Sequence, residues 1–210
     1  LVTGASRGIG EAIAIELSRA GAKIIGVARD IKRLEQAMNP IGGVCVCCDL
    51  SDSNAVSSLI EKIESEHGPI DVLINNAGLA LGRDAFQDAN LEDWETMIDT
   101  NVKGLLYVSK AVLPLLIHNK KAHIINIGST AGVEVYKEGN VYCASKHAVA
   151  AISKSMRIDL LPHHIKVTAI HPGAAETNFS NTRFKGDEAK AAAVYEGYKA
   201  LEAVDVANVA

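Results

Sequence analysis

Short apolar runs of strand length alternate along the chain with longer segments that have the apolar spacing or the composition of helices. This alternation predicts parallel β-strands joined by helical crossovers, an α/β fold with a doubly wound sheet in three α/β/α layers. The predicted strands are residues 1–3, 23–28, 43–48, 72–75, 123–127 and 166–170. The predicted helices are residues 10–20, 31–38, 53–67, 91–118, 141–160 and 187–201. Because the sequence contains no repeat, linker or low-complexity tract, we expect a single domain over residues 1–210.

The two ends of the sequence fit this pattern incompletely. Leu1 and Val2 lead at once into a glycine turn, and residues 204–210 have the composition of a helix that stops early. We therefore expect the given sequence to lack the start of the first strand and a C-terminal strand.

The charge and hydropathy of the chain argue against nucleic-acid and membrane partners. The formal net charge is −4, and the Lys and Arg residues are scattered, so no basic surface for phosphate backbones is expected. No apolar run approaches the roughly 20 residues that cross a bilayer, and no secretory leader is recognisable. These features predict a cytoplasmic protein.

Three of the four cysteines lie close together in one predicted strand. Cys45, Cys47 and Cys48 fall within residues 43–48, where alternate side chains point to opposite faces, whereas zinc needs ligands that converge. Buried thiols in a reducing compartment are the favoured interpretation, also for Cys143. The seven histidines lack the paired spacing of zinc ligands, so no metal site is predicted.

A glycine-rich turn with the spacing Gly-x-x-x-Gly-x-Gly lies between the first strand and the first helix. Glycines there permit a tight turn and a close approach of the backbone to a pyrophosphate, and free N–H groups at the start of the helix face the phosphates. The turn therefore predicts a Rossmann-type dinucleotide site. Its candidate cofactor-binding residues are Gly4, Ser6, Arg7, Gly8, Ile9 and Gly10.

The end of the second strand indicates which dinucleotide is bound. A carboxylate there would hold the ribose 2′-hydroxyl and repel a 2′-phosphate, but this chain has Ala28 followed by Arg29. Arginine binds a phosphate through two donors, so Arg29 favours NADP, with Arg33 and either Ser6 or Arg7 as helpers.

Two alternatives to this interpretation stay open. In the first, Asp30 pairs with Arg29 or Arg33, which weakens the preference and leaves NAD as a second cofactor. In the second, Arg29 is only a solvated loop charge, the commonest kind of arginine.

Tyr142 and Lys146 are four residues apart, so on a helix their side chains share a face. A phenol titrates near pH 10, and an adjacent ammonium lowers that pKa, so the pair can exchange a proton with a substrate oxygen. Ser129, at the end of the fifth predicted strand, can hydrogen-bond the same oxygen. Taken singly, the first two residues are also consistent with an ordinary amphipathic pair, and Ser129 with a strand-end cap.

Taken in order from Thr3 to Thr177, these motifs resemble the short-chain dehydrogenase/reductase family over nearly the whole chain. The resemblance implies hydride transfer between NADP(H) and an alcohol or carbonyl substrate. It makes Ser129, Tyr142 and Lys146 catalytic residues. Ser129 and Tyr142 would also contact the substrate, and Tyr142 and Lys146 the cofactor.

The resemblance assigns further positions. Asp49 and Leu50 would meet the adenine, and Asn101, as a fourth catalytic residue, would accept a water that links the lysine to solvent. The remaining implied cofactor-binding residues are Asn76, Ala77 and Gly78 beside the adenosine ribose, and Pro172, Gly173 and Thr177 at the nicotinamide carboxamide. From the residues alone, Asp49 is also consistent with a turn cap, and Asn101 with a residue on a helix surface.

Three segments, residues 76–82, 92–101 and 183–187, resemble more narrowly the NADP-dependent 3-hydroxy acid dehydrogenases that oxidise serine, allo-threonine and related acids. This resemblance implies a small 3-hydroxy acid as the substrate. Arg183 or Lys185 would then close over its carboxylate, and a solvated loop is the alternative. The residues after the second strand depart from the two arginines typical of that subgroup, which loosens the expected cofactor selectivity.

Other functions use the same features. A reductase of 3-oxoacyl thioesters or a broad carbonyl reductase has the same catalytic residues, and a catalytically silent NADP-sensing regulator keeps the same fold. Regulators of that kind usually lose the tyrosine or the lysine, and both are present here.

Two apolar helical segments bear on assembly. Residues 105–117 and 143–160 look like the helices through which family members form homodimers and homotetramers. Burial in the core of one chain is the alternative.

Overall fold

Six parallel strands form the central sheet of the computed structural model, which describes residues 1–119 and 121–210. They are β1 (Val2–Thr3), β2 (Ile25–Ala28), β3 (Val44–Cys47), β4 (Val72–Asn75), β5 (His123–Ile127) and β6 (Lys166–Ile170). The spatial order is β3-β2-β1-β4-β5-β6, and every neighbouring pair is parallel. The predicted doubly wound fold is therefore confirmed, and each predicted strand is present at or within its predicted bounds.

Helices cover both faces of this sheet. Their bounds are α1 (Gly8–Arg19), α2 (Ile31–Met38), α3 (Ser53–His67), α4 (Leu91–Ile98), α5 (Leu105–Ile117), α6 (Asn140–Asp159), α7 (Phe179–Arg183), α8 (Glu188–Ala193) and α9 (Ala203–Ala207). Side-chain caps fix several of their starts: Asp30, Asp52 and Asn90 accept hydrogen bonds from the backbone N–H groups that open α2, α3 and α4.

The core lies in two layers, one on each face of the sheet. Neighbouring residues of β4 point to opposite sides, so Leu73 packs in the cluster that contains Val112 of α5, and Ile74 packs in the cluster that contains Ile13 of α1. All four side chains are fully buried. Burial of each such side chain stabilises the fold by about 1.5–3 kcal/mol, which is why the strands read as apolar runs.

The strand order reverses at β1, whose neighbours are β2 on one side and β4 on the other. In a doubly wound sheet the loops at the carboxyl ends of these central strands diverge and leave a crevice that binds ligands. The residues that follow β1, β2 and β4 therefore face one another across this crevice.

The predicted helix over residues 91–118 is three consecutive elements. A π-helical turn, Asp99–Gly104, separates α4 from α5. The continuous helical segment Leu91–Ile117 has 27 residues and is long and apolar enough to cross a membrane by length and composition alone, but it contains Lys103 and Lys110 and is not an unbroken apolar run. Leu105, Val108 and Val112 of this segment are buried in the protein, so its composition is that of a core helix.

The segment after β6 differs most from the prediction. Instead of one helix over residues 187–201, the chain forms α7, α8 and a small parallel sheet of β7 (Ala175–Glu176) and β8 (Leu201–Glu202). Gly197 has a φ of 87°, a left-handed conformation that interrupts a helix. The short helix expected near the end of the sequence is present as α9.

The cysteines are less buried than predicted. Cys48 and Cys143 are buried, but Cys45 is half-buried and Cys47 is exposed, because β3 is the edge strand of the sheet. All four are free thiols. Across residues 1–119 and 121–210, no group of three or more His, Cys, Asp or Glu side chains is placed to hold a metal ion.

Candidate active site

A cavity of about 630 Å³ opens at the carboxyl ends of the central strands. Most of the site residues that the sequence motifs predict line this cavity, although they are far apart in the sequence. The predicted site residues that line it are Gly4, Ser6, Arg7, Gly8, Ile9, Arg29, Asp49, Leu50, Asn76, Ala77, Gly78, Ser129, Tyr142, Lys146, Pro172, Gly173, Thr177 and Arg183.

Lys185 does not reach this cavity, which corrects the expectation that it contacts the substrate. Its Nζ lies 2.8 Å from Oδ2 of Asp93, on α4. Lys185 therefore joins the segment after α7 to α4, and its charge is already paired there.

Gly10 also lies behind the cavity wall. A Cβ atom at this position would be 2.3 Å from the Gly4 carbonyl oxygen and 2.3 Å from Nδ2 of Asn76. Only glycine fits between these groups, so Gly10 lets α1 pack against the β1 turn. Asn76 braces the same junction, because its Nδ2 donates to the carbonyl oxygens of Thr3 at 2.9 Å and Gly4 at 3.2 Å.

The turn between β1 and α1 has the geometry of a phosphate site. Gly4 and Gly8 have φ values of 66° and 59°, a backbone region that favours glycine. At the start of α1 the N-cap residue, Arg7, makes no side-chain capping bond. The first N–H groups of this 12-residue helix are therefore available to an anion, and the helix dipole adds to their attraction.

Three arginines gather at this end of the cavity. Arg7, Arg29 and Arg33 all line it, and burial together with the charges of Arg33 and Arg29 lowers the pKa of Arg7. Asp30 caps α2 by accepting the backbone N–H of Arg33 at 3.1 Å, and in residues 1–119 and 121–210 it forms no ion pair with either neighbouring arginine. Mutually repelling arginines beside a nucleotide-sized cavity fit a group with several negative oxygens, such as a ribose phosphate.

Asp49 occupies the turn that follows β3. Its Oδ1 accepts hydrogen bonds from the backbone N–H of Ser51 at 3.0 Å and from the Ser51 hydroxyl at 2.8 Å. These bonds lower the pKa of the Asp49 carboxyl. The residue is therefore a turn cap, as the alternative interpretation proposed, and it also lines the cavity.

The other end of the cavity holds Tyr142 and Lys146, one turn apart on α6 and both buried. Nζ of Lys146 donates to the carbonyl oxygen of Ile127, the last residue of β5, at 3.0 Å. Ser129 follows the same strand, and its Oγ accepts the N–H of Ala131 at 3.1 Å as the cap of a short 3₁₀ turn. The ends of β5 and α6 thus place the three predicted catalytic side chains along one wall.

Burial sets the protonation of this pair. It raises the pKa of Tyr142 to about 12, against the opposing effects of the Ser129 hydroxyl and the Arg183 charge. It lowers the pKa of Lys146 to about 8. The sequence-based argument expected the Lys146 ammonium to lower the phenol pKa, but desolvation by burial is the largest cause and raises it, and the effects that lower it come from Ser129 and Arg183.

Asn101 is buried in the π-helical turn, so its interpretation as a helix surface residue is wrong. Its side chain pairs with both backbone polar groups of Leu79 at 2.8 Å and donates to Oγ of Ser145 at 3.0 Å. A Cβ atom on Gly78 would lie 3.1 Å from Oδ1 of Asn101 and 3.5 Å from Nζ of Lys146. Asn101 therefore lies behind the cavity wall, next to the lysine.

Several lining residues carry no motif that sequence reasoning could recognise. Arg83, Tyr136, Tyr195 and Tyr198 lie in loops or in the segment after β6, and they meet only in the folded chain. The hydroxyl of Tyr195 donates to the Ala175 carbonyl oxygen at 3.1 Å, which fixes this segment against β7.

Comparison with known proteins agrees with this geometry. Residues 1–188 match the family described as short chain dehydrogenase. The NADP-dependent 3-hydroxy acid dehydrogenase YdfG of Escherichia coli is 44% identical over 211 residues, which cover 99% of this chain and 85% of that protein. The NADP-dependent 3-hydroxy acid dehydrogenase of Schizosaccharomyces pombe is 40% identical over 216 residues, covering 100% of this chain and 83% of that protein.

Solved structures give the same assignment. The closed form of serine dehydrogenase complexed with NADP⁺ has a TM-score of 0.95 and 43% identity, over 99% of this chain and 85% of that one. The 3-ketoacyl-(acyl-carrier-protein) reductase of Brucella melitensis complexed with NADH has a TM-score of 0.88 and 28% identity, over 99% of this chain and 86% of that one. From the order of its motifs, the geometry of its cavity and these similarities, the chain belongs to the short-chain dehydrogenase family.

Proposed function

We propose that this protein is an NADP(H)-dependent oxidoreductase that interconverts the alcohol and the carbonyl form of small 3-hydroxy acids such as serine or allo-threonine. One observation carries the proposal: a single cavity has a cluster of arginines at one end and Tyr142, Ser129 and Lys146 at the other. This arrangement suits a dinucleotide with an extra phosphate whose reactive end lies beside a proton-transfer group.

The protein's own residues would move the proton, while a bound nicotinamide cofactor supplies or accepts the hydride. The hydroxyl of Ser129 would hold the substrate oxygen, and the phenol of Tyr142 would give that oxygen a proton or take one from it. Lys146, anchored to the Ile127 carbonyl oxygen, places a positive charge behind the phenol. Asn101, which the resemblance made a fourth catalytic residue, would be a positioning residue, because its side chain holds the backbone of Leu79 behind the cavity wall.

The cofactor proposal follows from the donors that line the cavity. Arg7, Arg29 and Arg33 would bind the 2′-phosphate, and the glycine turn with the start of α1 would bind the pyrophosphate. The remaining contacts are proposed for Asp49 and Leu50 at the adenine, Asn76, Ala77 and Gly78 at the ribose, and Pro172, Gly173 and Thr177 at the carboxamide. Relatives named as NADP-dependent, and a structure solved with NADP⁺, support this choice.

The substrate proposal rests on relatives and on charge. Two of the similar proteins are named 3-hydroxy acid dehydrogenases, and a similar structure is a serine dehydrogenase. Arg183 lines the cavity near Tyr142 and would contact the acid group of such a substrate.

The first experiment is a turnover assay. Purified protein is mixed with NADP⁺ or NAD⁺ and with L-serine, D-serine, L-allo-threonine or 3-hydroxypropionate, and the absorbance of the reduced cofactor is followed. We expect turnover with NADP⁺ and a loss of about 10²-fold or more in Tyr142→Phe, because that variant keeps the ring but removes the proton-transfer group. No turnover with any of these acids contradicts the substrate proposal, and ketones and 3-oxoacyl thioesters are then assayed with NADPH.

Assembly and location complete the proposal. Leu106 and Ile117 on α5, Ile158 on α6 and Leu161 just after it expose apolar surface, which suits a homodimer or homotetramer formed through these helices. Free thiols, including an exposed Cys47, suit a reducing compartment such as the cytoplasm.

A further inference from the structure

Arg183 places a buried positive charge beside the reactive phenol. The residue is 9% exposed, and its guanidinium carbon lies 5.5 Å from the centre of the Tyr142 ring. Its hydrogen-bond acceptors are neutral: Nε donates to the Gly82 carbonyl oxygen at 3.1 Å, and Nη1 donates to the Tyr136 hydroxyl at 2.8 Å. Within the described part of the chain, residues 1–119 and 121–210, no carboxylate lies within ion-pair distance of Arg183.

The charge is not needed to hold the local structure. A backbone hydrogen bond of 2.9 Å, from the Gly82 N–H to the Arg183 carbonyl oxygen, already joins the two segments. A neutral donor would satisfy the Gly82 carbonyl and the Tyr136 hydroxyl equally well. A guanidinium withdrawn from water is costly unless an anion lies close to it, so this one is suited to an anion that arrives with the ligand.

A second arginine and a tyrosine surround the same point. The guanidinium carbons of Arg83 and Arg183 lie 5.9 Å and 5.5 Å from the centre of the Tyr136 ring, and all three residues line the cavity. The ion pair of Arg83 with the partly exposed Glu138 is long, 3.9 Å between Nε and Oε2. The Tyr136 ring thus lies close to two guanidinium groups, and its hydroxyl accepts a hydrogen bond from one of them, that of Arg183.

We propose that Arg183, Tyr136 and Arg83 form a carboxylate subsite that restricts this enzyme to substrates with an acid group close to the reacting carbon. Arg183 binds the carboxylate, Tyr136 is the positioning residue that aims its guanidinium at the cavity, and Arg83 adds the second positive charge. The inference rests on the proposed oxidoreductase function and names the feature that selects acids over neutral alcohols. The Arg183 guanidinium carbon lies 5.5 Å from the centre of the Tyr142 ring, which favours a short spacer between the acid group and the reacting carbon.

Arg183 also acts on the phenol, and the test has to separate the two effects. Its charge lowers the pKa of Tyr142, so its loss would slow proton transfer for every substrate. Loss of a carboxylate contact affects only substrates that carry a carboxylate. A matched pair of substrates, 3-hydroxypropionate and its methyl ester, distinguishes these effects.

The first measurement is binding without turnover. The affinity of the protein–NADP⁺ complex for propionate and for propanamide is measured by calorimetric titration in the wild type, Arg183→Met, Tyr136→Phe and Arg83→Met. We expect the wild type to prefer propionate, Arg183→Met to lose about tenfold to hundredfold in propionate affinity, and the other two to lose less. Arg19→Met, which changes an exposed arginine of α1, is the matched control and should bind as the wild type does. Equal binding of propionate by the wild type and Arg183→Met overturns the proposal.

The second measurement is turnover of the acid and its ester. In Tyr136→Phe, which keeps the ring and removes only the hydroxyl, KM for 3-hydroxypropionate should rise with kcat nearly unchanged, while KM for the ester stays the same. Equal effects on both substrates overturn the subsite, because they indicate an action through Tyr142 alone. If the wild type oxidises no 3-hydroxy acid but propionate binding still depends on Arg183, the subsite stands and the proposed function fails.

Discussion

Burial shifts the pKa values of Tyr142 and Lys146 in opposite directions, in each case toward the neutral form. With pKa values of about 12 and about 8, the phenol is neutral near pH 7 and the lysine is still largely an ammonium. Tyr142 is therefore a proton donor near pH 7, which is the form that reduction of a carbonyl requires. Oxidation of an alcohol requires the phenolate, so binding of positive charge near the ring is needed in that direction.

The same burial makes the free energy of unfolding depend on pH through Lys146. Its pKa falls from 10.5 in the unfolded chain to about 8 in the folded one, so between these values the unfolded chain binds more protons and stability rises with pH. We expect Lys146→Met to remove this rise. The difference in unfolding free energy between wild type and variant, measured by urea denaturation just below pH 8 and near pH 10.5, should change by about 3 kcal/mol.

Lys62→Met is the control for this measurement, because Lys62 is exposed on α3. Its difference from the wild type should be the same at both pH values. A Lys146→Met protein whose difference from the wild type also stays constant would show that the folded chain does not lower the pKa of Lys146.

The arginines at the mouth of the cavity lead to a prediction about cofactor choice. Arg29→Ala should weaken NADP⁺ binding by about tenfold to hundredfold and leave NAD⁺ binding nearly unchanged, because only NADP⁺ has the 2′-phosphate.

Asp30→Ser should keep the helix cap and therefore the stability, without weakening NADP⁺ binding. Fluorescence titration of the two cofactors checks both variants. If Asp30→Ser binds NADP⁺ more weakly than the wild type, Asp30 has a role beyond capping α2.

At the scale of secondary-structure elements, the π-helical turn depends on Asn101. Asn101→Ala leaves both backbone polar groups of Leu79 without their side-chain partner, and it removes one hydrogen bond to the Ser145 hydroxyl, which still donates to the Tyr142 carbonyl oxygen. Because each buried unpaired group costs about 1–3 kcal/mol, we expect the free energy of unfolding to fall by about 2–4 kcal/mol. Asn54→Ala, an exposed change on α3, should stay within about 0.5 kcal/mol of the wild type in the same denaturation experiment. Equal stability of the two variants would contradict a structural role for Asn101.

The elements that the sequence predicted well are those whose signal is local. Apolar runs of strand length predicted all six strands, because a strand that is buried on both faces of the sheet needs continuous apolar residues, such as those of β4 and β5. The π-helical turn, Asp99–Gly104, is mostly polar, unlike the apolar α5 that follows it, and its Asn101 side chain bonds to the backbone of Leu79, a contact that no local pattern shows. The β7–β8 pair is likewise invisible, because two residues in each strand carry no periodicity.

For the whole molecule, the cofactor and proton-transfer residues that line the cavity could be predicted, but of the proposed carboxylate subsite only Arg183 could be. The glycine turn, Arg29 and the Tyr142–Lys146 spacing each lie within one short segment, so a motif identifies them. Arg83 and Arg183 are a hundred residues apart and come near the same Tyr136 ring because the Gly82 backbone pairs with Arg183 at the end of α7. The same long-range folding takes Lys185 to Asp93 and away from the cavity.

The proposed oligomeric state can be tested by substitution of the exposed apolar residues of α5 and α6. Leu106 on α5 and Ile158 on α6 are 40% and 74% exposed, and the proposed homo-oligomer would bury them. A carboxylate placed without a partner in an apolar interface costs several kcal/mol, so Leu106→Glu and Ile158→Glu should shift the protein toward the monomer. Light scattering coupled to size-exclusion chromatography measures the mass. Leu91→Glu changes an equally exposed apolar residue at the start of α4, where a negative charge suits the helix dipole, and should keep the wild-type mass. A wild type that elutes as a monomer, or interface variants with unchanged mass, would contradict assembly through α5 and α6.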